Sequence, residues 1–172
     1  CKMCGINSAK KNGIYDDVKK QLHSKNVVVL NNVEPNPTLE KIYEGIHLCK
    51  THNVDLVIGV GGGSVCDSAK LIAAGATMRS SDEIWNALII KRVHSDSIAS
   101  GIIITSPGSG TEMSDSVVIT NSETREKRNT GGCQFYPEFC IIDPEYTYTL
   151  PNQQMAYGCV DTFVHLCESY FS

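Results

Sequence analysis

The stretch Asp55-Leu56-Val57-Ile58-Gly59-Val60-Gly61-Gly62-Gly63-Ser64 decides the fold, together with the residues Val65 to Ala73 that follow it. From Leu56 to Val60 every residue is apolar or glycine, as expected of a parallel strand that is covered on both faces. The residues from Val65 to Ala73 supply the apolar body of a helix. The order of strand, glycine loop and helix predicts one βα unit of a parallel α/β fold.

The glycine loop Gly61-Gly62-Gly63-Ser64 is also a candidate binding site. Glycines allow close backbone approach, and the free N–H groups and dipole of a helix's first turn attract a phosphate. A tight turn without a ligand explains a glycine triplet about equally well. The loop is neither GxGxxG nor a Walker motif, because Lys70 lies more than a turn into the helix.

Helices and strands alternate on both sides of this unit. The predicted order is a helix over 12–23, a strand over 27–30, a helix over 39–52 with Thr38 as its cap, a strand over 101–105, a hairpin with arms 117–120 and 125–128, and a strand over 139–142. This alternation predicts an α/β fold with a Rossmann-like parallel sheet. We expect the polar stretch from Arg79 to Ser97 to cap the sheet edge.

A second loop of small and hydroxyl residues, Ser106-Pro107-Gly108-Ser109-Gly110-Thr111, follows the strand over 101–105. Ligands of open α/β sheets bind beyond the carboxyl ends of the strands. Since the glycine loop also follows a strand, both loops should lie at one edge of the sheet. The pair of loops therefore favours a bound ligand over two unrelated turns.

A last helix is predicted from Asn152, its expected cap, to the end of the chain, with Pro151 at the boundary. Asp161 and His165 are four residues apart, so one face of this helix presents both, and the pair can chelate a metal ion such as Zn²⁺ or Fe²⁺. Taken alone, such a pair is more often a side-chain hydrogen bond or a solvated face. It also supplies only two ligands. An apolar stripe runs along the same helix, formed by Met155, Cys159, Phe163, Leu166 and Tyr170.

Composition excludes several classes of protein. The chain has 172 residues, a net charge of −4 and no long run of Lys or Arg, so we expect neither a nucleic-acid partner nor docking on an anionic membrane. Its apolar runs are far too short for a membrane span, and no secretory segment opens the sequence. Six of the eight cysteines are scattered among apolar neighbours, which favours reduced, mostly buried thiols in the cytoplasm over a disulfide framework. The other two, Cys1 and Cys4, form a CxxC that we interpret as an accidental pair.

Several motifs occur together in one order: Gly61-Gly62-Gly63-Ser64 with Asp67 and Lys70, then Gly110-Thr111-Glu112, then Asp143-Pro144, then Asp161 to His165. The chain thereby resembles the iron-containing (group III) alcohol dehydrogenases, and its Glu34-Pro35-Asn36-Pro37 and Tyr146 to Pro151 segments resemble the butanol dehydrogenase and aldehyde reductase branch. The resemblance implies a dinucleotide-binding α/β domain over residues 1–150. Residues 151–172 would be the beginning of an all-helical metal-binding domain, so the chain is expected to be an N-terminal fragment.

The resemblance also implies roles for individual residues. The cofactor-binding set comprises Gly62, Gly63, Ser64 and Asp67 of a pyrophosphate loop, Thr105, Gly110 and Thr111 of a second loop, and the basic Lys127. Asp161 and His165 match the first two metal ligands, and two further histidines would follow Ser172. The implied cofactors are NADP or NAD and one Fe²⁺ or Zn²⁺. The implied substrate is a small alcohol or aldehyde, and the intact enzyme would be a homodimer.

Two features depart from the resemblance. The stretch Gly5-Ile6-Asn7-Ser8 carries side chains where a glycine-rich loop is expected, and Cys1 to Cys4 is not a convincing strand, which leaves the first strand of the sheet in question. The implied activity is interconversion of a butanol-like primary alcohol and its aldehyde with NAD(P)H, with no catalytic side-chain nucleophile. One alternative is a non-catalytic nucleotide-binding fragment or truncated reading frame. A third interpretation is a relative of glycerol dehydrogenase or dehydroquinate synthase.

Overall fold

The structure is a computed structural model that describes residues 2–5 as backbone and residues 13–79, 84–86 and 96–172 in full. The expected departures at Ile6, Asn7 and Ser8 lie outside the described residues. So does most of the stretch from Arg79 to Ser97, although 84–86 form a helical turn that buries Ile84. Within the described part, we find no helix that is both long and apolar enough to cross a membrane.

Among the described residues, five strands form a parallel sheet at the centre of the fold: β1 (Lys2–Gly5), β2 (Val28–Asn31), β3 (Leu56–Gly61), β4 (Ala99–Ile104) and β7 (Phe139–Ile142). Their order across the sheet is β2-β1-β3-β4-β7. The first strand, which the sequence left in question, is therefore present. Lys2–Gly5 pairs with β2 on one side and with β3 on the other, so backbone pairing to two neighbours overrides its weak apolar pattern.

Helices cover both faces of this sheet. On one face lie α2 (Leu39–Thr51) and α3 (Gly63–Thr77), and on the other lies α1 (Ile14–Gln21). Successive residues of β4 alternate between the two cores, because Ile102 and Ile104 pack with α2 and α3 whereas Ile103 packs with α1. This two-sided burial explains the continuous apolar runs of the central strands.

The predicted hairpin is present as a separate two-stranded sheet of β5 (Ser116–Asn121) and β6 (Glu126–Gly131). It is anchored to the loop before α2, since Thr120 N donates to Pro37 O over 2.8 Å. The predicted cap of α2 is also confirmed, because Thr38 Oγ1 accepts from Lys41 N at 3.4 Å. The hairpin thus lies beside the first turn of α2.

The last helix, α4 (Asn152–Phe171), begins one residue earlier than predicted. Pro151, and not Asn152, is the cap, because Pro151 O accepts the first helical hydrogen bond from Met155 N over 3.1 Å. The fixed φ of proline is compatible with the extended conformation of a cap residue, and Pro151 has φ −58° and ψ 141°. Along α4 only Gly158 is buried.

The expectation of mostly buried cysteines is wrong for the described ones. Cys49 and Cys66 are buried, Cys140 and Cys167 are partly exposed, and Cys133 and Cys159 are exposed. The exposed pair lies on a surface turn and on α4, where the fold provides no core. Short 3-10 helices at Thr111–Met113, Cys133–Phe135 and Pro144–Thr147 complete the described elements.

Candidate functional site

The two predicted loops lie face to face at the carboxyl edge of the sheet. β3 and β4 are neighbours, and Thr105 N donates to Gly61 O over 3.0 Å where both strands end. A Cβ at Gly62 would stand 2.8 Å from Ser106 Oγ, and one at Gly63 would stand 2.9 Å from Ser109 Cβ. Glycine at both positions therefore keeps the space between the loops open.

A cavity of about 650 Å³ opens beside these loops. It brings together seven of the ten predicted site residues, which come from both loops, from the hairpin and from the last helix: Gly63, Ser64, Asp67, Thr111, Lys127, Asp161 and His165. Its remaining lining comes from Asn36, Pro37, Ser109, Ser114, Ser116 and Val118. Residues separated widely in sequence thus converge on one polar cleft.

The other three predicted residues do not line this cavity. Gly62 adopts an extended conformation behind Gly63, and its carbonyl accepts the first hydrogen bonds of α3 from Val65 and Cys66. Thr105 is buried at the end of β4. Gly110 adopts a left-handed φ of 62°, and a Cβ there would meet nothing within 4 Å. The backbone conformation of the turn, and not a lack of space, therefore explains the glycine.

Asn36 is a site residue that the sequence analysis did not single out. Its backbone N–H donates to Ser64 Oγ over 3.1 Å, and its side-chain Oδ1 accepts from Lys127 Nζ over 3.1 Å. The residue adopts a left-handed φ of 62° between two prolines. Asn36 thereby connects the glycine loop to the basic residue of β6. The available signal was the asparagine of Pro35-Asn36-Pro37, because asparagine tolerates a left-handed turn conformation better than most residues.

A buried network fixes the second loop against α3. Thr111 Oγ1 donates to Asp67 Oδ1 over 2.5 Å, and Val118 N donates to Asp67 Oδ2 over 3.1 Å. Lys70, which has no exposed surface, donates to Thr111 Oγ1 at 2.9 Å, to Ser114 O at 2.6 Å and also to the carbonyl of Thr111. The three donors of one ammonium group therefore hold the end of the second loop and the backbone just after it.

Burial shifts the pKa values of both charged groups in this network toward neutrality. Loss of water lowers the pKa of the Lys70 ammonium, while the negative charge of Asp67 opposes that change. Loss of water also raises the pKa of the Asp67 carboxyl, and the hydrogen bonds from Thr111 and Val118 oppose the rise. The sequence analysis assigned Asp67 to the site but gave Lys70 no role. A lysine three residues after Asp67 in a helix without other cations was the signal that could have identified it.

Asp161 and His165 project from one face of α4 into the same cavity, as their spacing predicts. His165 Nε2 lies 3.7 Å from Asp161 Oδ1, and His165 Nδ1 lies 3.5 Å from Glu168 Oε2. The side chains of Asp161 and His165 are about half exposed, so both can rotate toward an ion. A carboxylate and an imidazole fit Zn²⁺ or Fe²⁺. Across the described ranges, no cluster of three or more potential metal ligands occurs.

The parallel sheet, with helices on both faces and a ligand-sized cleft at its carboxyl edge, belongs to the Rossmann-like class of α/β domains. The family model described as iron-containing alcohol dehydrogenase matches residues 3–144. The chain belongs to this family, and the family resemblance stated from the motifs is confirmed.

Individual relatives support the same family assignment. The chain is 42% identical over 169 residues to the probable NADH-dependent butanol dehydrogenase 2 of Bacillus subtilis, covering 97% of this chain and 43% of that protein. It is 37% identical to the NADPH-dependent aldehyde reductase YqhD of Escherichia coli, covering 96% and 43%. The crystal structure of NADH-dependent butanol dehydrogenase A from Thermotoga maritima superposes with a TM-score of 0.91 at 40% identity, covering 97% and 42%. The chain therefore spans less than half the length of these relatives.

Proposed function

We propose that this chain is the nucleotide-binding part of a metal-dependent oxidoreductase that interconverts a small primary alcohol and its aldehyde with NADH or NADPH. The observation that carries the proposal is the single cleft shared by the glycine loop, Lys127, Asp161 and His165. The names of the relatives, which include butanol dehydrogenases and an aldehyde reductase, support the alcohol and aldehyde as substrates. A cytoplasmic location and a homodimer stay predictions.

The chain's own residues would bind and orient the dinucleotide. The pyrophosphate would lie at the amino end of α3, where the N–H groups of Gly63 and Ser64 precede the first helical hydrogen bond from Val65 N. Lys127, held beside the glycine loop by its hydrogen bond to Asn36, would contribute a positive charge to the same phosphates. The network of Asp67 and Lys70 would keep Thr111 in place on the ribose and nicotinamide side.

The far end of the cleft would serve the reacting carbonyl. When bound, a divalent metal supplies Lewis-acid polarisation of that carbonyl, and the reduced nicotinamide supplies the hydride. Asp161 and His165 would hold the metal in part, and the carboxylate of Glu168 beside His165 Nδ1 would orient the imidazole. No side-chain nucleophile is required for this reaction, and Cys66, buried behind the glycine loop, is not placed to act as one.

Nucleotide binding by the chain is the first test. Titration with NADH and with NADPH, followed by the fluorescence of the reduced nicotinamide, should show saturable binding. Gly62→Val should abolish it, because the added methyl groups would displace Ser106 and close the space between the loops. Gly131→Val is the matched control, since a Cβ there meets only ordinary contacts at 3.6 Å and β6 accepts a β-branched residue. Unchanged binding by Gly62→Val would mean that the loop is only a structural turn.

A second candidate function is that of a nucleotide-binding module without catalysis. The incomplete ligand set among the described residues favours it for this chain taken alone. The two functions differ in one measurement. The complete gene product that contains this chain should consume NADH or NADPH in the presence of butanal if the oxidoreductase proposal is correct, whereas the module would bind nucleotide and leave butanal unchanged.

A further inference from the structure

The helix that carries the proposed metal ligands touches the α/β domain backbone to backbone. Gly158 is the one buried residue of α4, and it faces the second loop at Pro107. A Cβ on Gly158 would stand 2.7 Å from Pro107 O and 2.9 Å from Pro107 Cγ. Both neighbours belong to a rigid proline or to the backbone, so neither can move aside cheaply. Only glycine permits this approach.

A second glycine faces the first across the contact. Gly108 adopts a φ of 120°, which disfavours any side chain, and a Cβ there would stand 3.1 Å from Gly158 Cα and 3.1 Å from Asp161 Oδ2. The missing side chain of Gly108 therefore leaves the space in which the carboxylate of Asp161 lies. Here the pair Gly108 and Gly158 is called the glycine contact.

The glycine contact determines where Asp161 stands relative to the cofactor loops. Asp161 follows Gly158 by three residues, less than one turn of α4, so any displacement of the helix at Gly158 moves the carboxylate with it. Asp161 also lines a smaller cavity of about 300 Å³ together with Gly63 and Ser106. The helix α4 and the glycine loop therefore come together beside the glycine contact.

We propose that Gly158, with Gly108, is a positioning residue that holds Asp161 at its working distance from the bound nucleotide. This inference rests on the proposed function for the roles of Asp161 and of the cofactor loops. The residue acts through Asp161 and touches neither substrate nor cofactor. Its importance lies in the absence of a side chain at a contact between two parts of the fold.

Gly158→Ala separates this role from a simple effect on the helix. Alanine is favoured over glycine in a helix interior. If Gly158 mattered only for helix stability, the substitution would therefore slow amide hydrogen exchange along α4. If the glycine contact positions α4, Gly158→Ala should instead speed amide exchange of residues 106–110 and 152–162 by about tenfold, with the exchange of β3 unchanged. Val160→Ala, at an exposed position of the same helix, is the matched control. Equal or slower exchange in Gly158→Ala would overturn the proposal.

Kinetics of the complete gene product supply the second readout. A displacement of about 1 Å can cost about 10²-fold in rate, so Gly158→Ala should lower kcat for butanal by at least about tenfold. Its dissociation constant for NADH, measured by fluorescence, should stay within about twofold. An unchanged kcat would refute the positioning role. If the unsubstituted protein binds no nucleotide, the proposed function fails, while the exchange experiment still reports on the glycine contact itself.

Discussion

The ammonium nitrogen of Lys70 lies 2.9 Å from the hydroxyl oxygen of Thr111, although 41 residues separate them in sequence. Lys70 is fully buried, so this contact joins α3 to the last residue of the second loop without help from solvent. The same hydroxyl donates to Asp67 Oδ1. The helix that begins at the glycine loop is thereby tied to the loop that faces it, which couples the integrity of the fold to the shape of the cleft.

Lys70→Met should strongly destabilise the chain. The substitution leaves the carbonyls of Thr111 and Ser114 without their donor, and each buried acceptor left unsatisfied costs about 1–3 kcal/mol. Urea unfolding would measure the loss. Lys20→Met, on the exposed surface of α1, should cost less than about 0.5 kcal/mol. A loss at Lys70 as small as that of the control would show that the network contributes little to stability.

Lys127→Met should weaken nucleotide binding while leaving the fold intact. Lys127 is exposed on β6 and lines the cleft, and a hydrogen bond to a charged group contributes about 1.5–3 kcal/mol, which corresponds to roughly 10- to 100-fold in affinity. The matched control is Arg128→Met, because Arg128 pairs with Glu126 at 3.2 Å and does not line the cleft. Titration with NADH and NADPH in low and high salt would compare the two variants. Equal nucleotide affinity of the two variants would show that Lys127 does not contribute to binding.

The parallel sheet was predictable because its strands are marked by local signals. Leu56 to Val60 is apolar throughout, and Thr38 and the glycine loop mark where α2 and α3 begin. β1 was doubted because Cys1 to Cys4 has a weak pattern of its own. Its place between β2 and β3 depends on backbone pairing with strands distant in sequence, and no local pattern records such pairing.

Part of the candidate site was also predictable, because some of its residues are marked by local sequence signals. Motif positions identified the glycines, Lys127 and the pair on α4, which carry their signal in neighbouring residues. Asn36 and Lys70 act through contacts to residues 28 to 91 positions away, so their roles follow only from the folded chain. That Gly62 and Thr105 do not line the cleft also depends on the direction in which each faces at the sheet edge.

Cys66 should resist alkylation in the folded chain. Burial raises the pKa of its thiol far above the usual value of 9.0, and the neighbouring Asp67 raises the pKa further. Iodoacetamide at pH 8 should therefore modify the exposed Cys133 and Cys159 and spare Cys66 until urea unfolds the chain. Mass spectrometry of the peptides would measure each site. Rapid modification of Cys66 under native conditions would contradict its placement in the core.

The same pKa shift predicts how stability depends on pH. Below pH 9.0 the Cys66 thiol is protonated in both the folded and the unfolded chain and adds no pH dependence. Above that pH the unfolded chain loses the proton and the folded chain keeps it, so the contribution of Cys66 to stability falls as pH rises. The stability advantage of the natural chain over Cys66→Ala, measured by urea unfolding, should accordingly shrink between pH 9 and 10. A stability difference that stays constant over this pH range would contradict the raised pKa of Cys66.

The chain taken alone should show no aldehyde reduction stimulated by Fe²⁺ or Zn²⁺. Asp161 and His165 would supply two ligands, whereas catalytic zinc sites have about three protein ligands. Consumption of NADH with butanal, with and without added metal, would test this. Stimulated turnover that disappears in His165→Ala would show that further ligands come from outside the described residues or from a second copy of the chain.

The chain should self-associate through α4. Apart from the buried Gly158, most of the helix is exposed, and its apolar side chains include Phe163 at 66%, Leu166 at 65% and Tyr170 at 83% exposure. Burying each such side chain is worth about 1.5–3 kcal/mol, so contact between copies is favourable, and the uncovered helix should exchange its amide hydrogens faster than β3. Light scattering after gel filtration should show oligomers that dissociate in Leu166→Gln and persist in Ser169→Gln, a polar position of the same helix. A monodisperse monomer with a slowly exchanging α4 would mean that the helix docks firmly on the α/β domain, and the prediction of a separate second domain from residue 151 onward would fail.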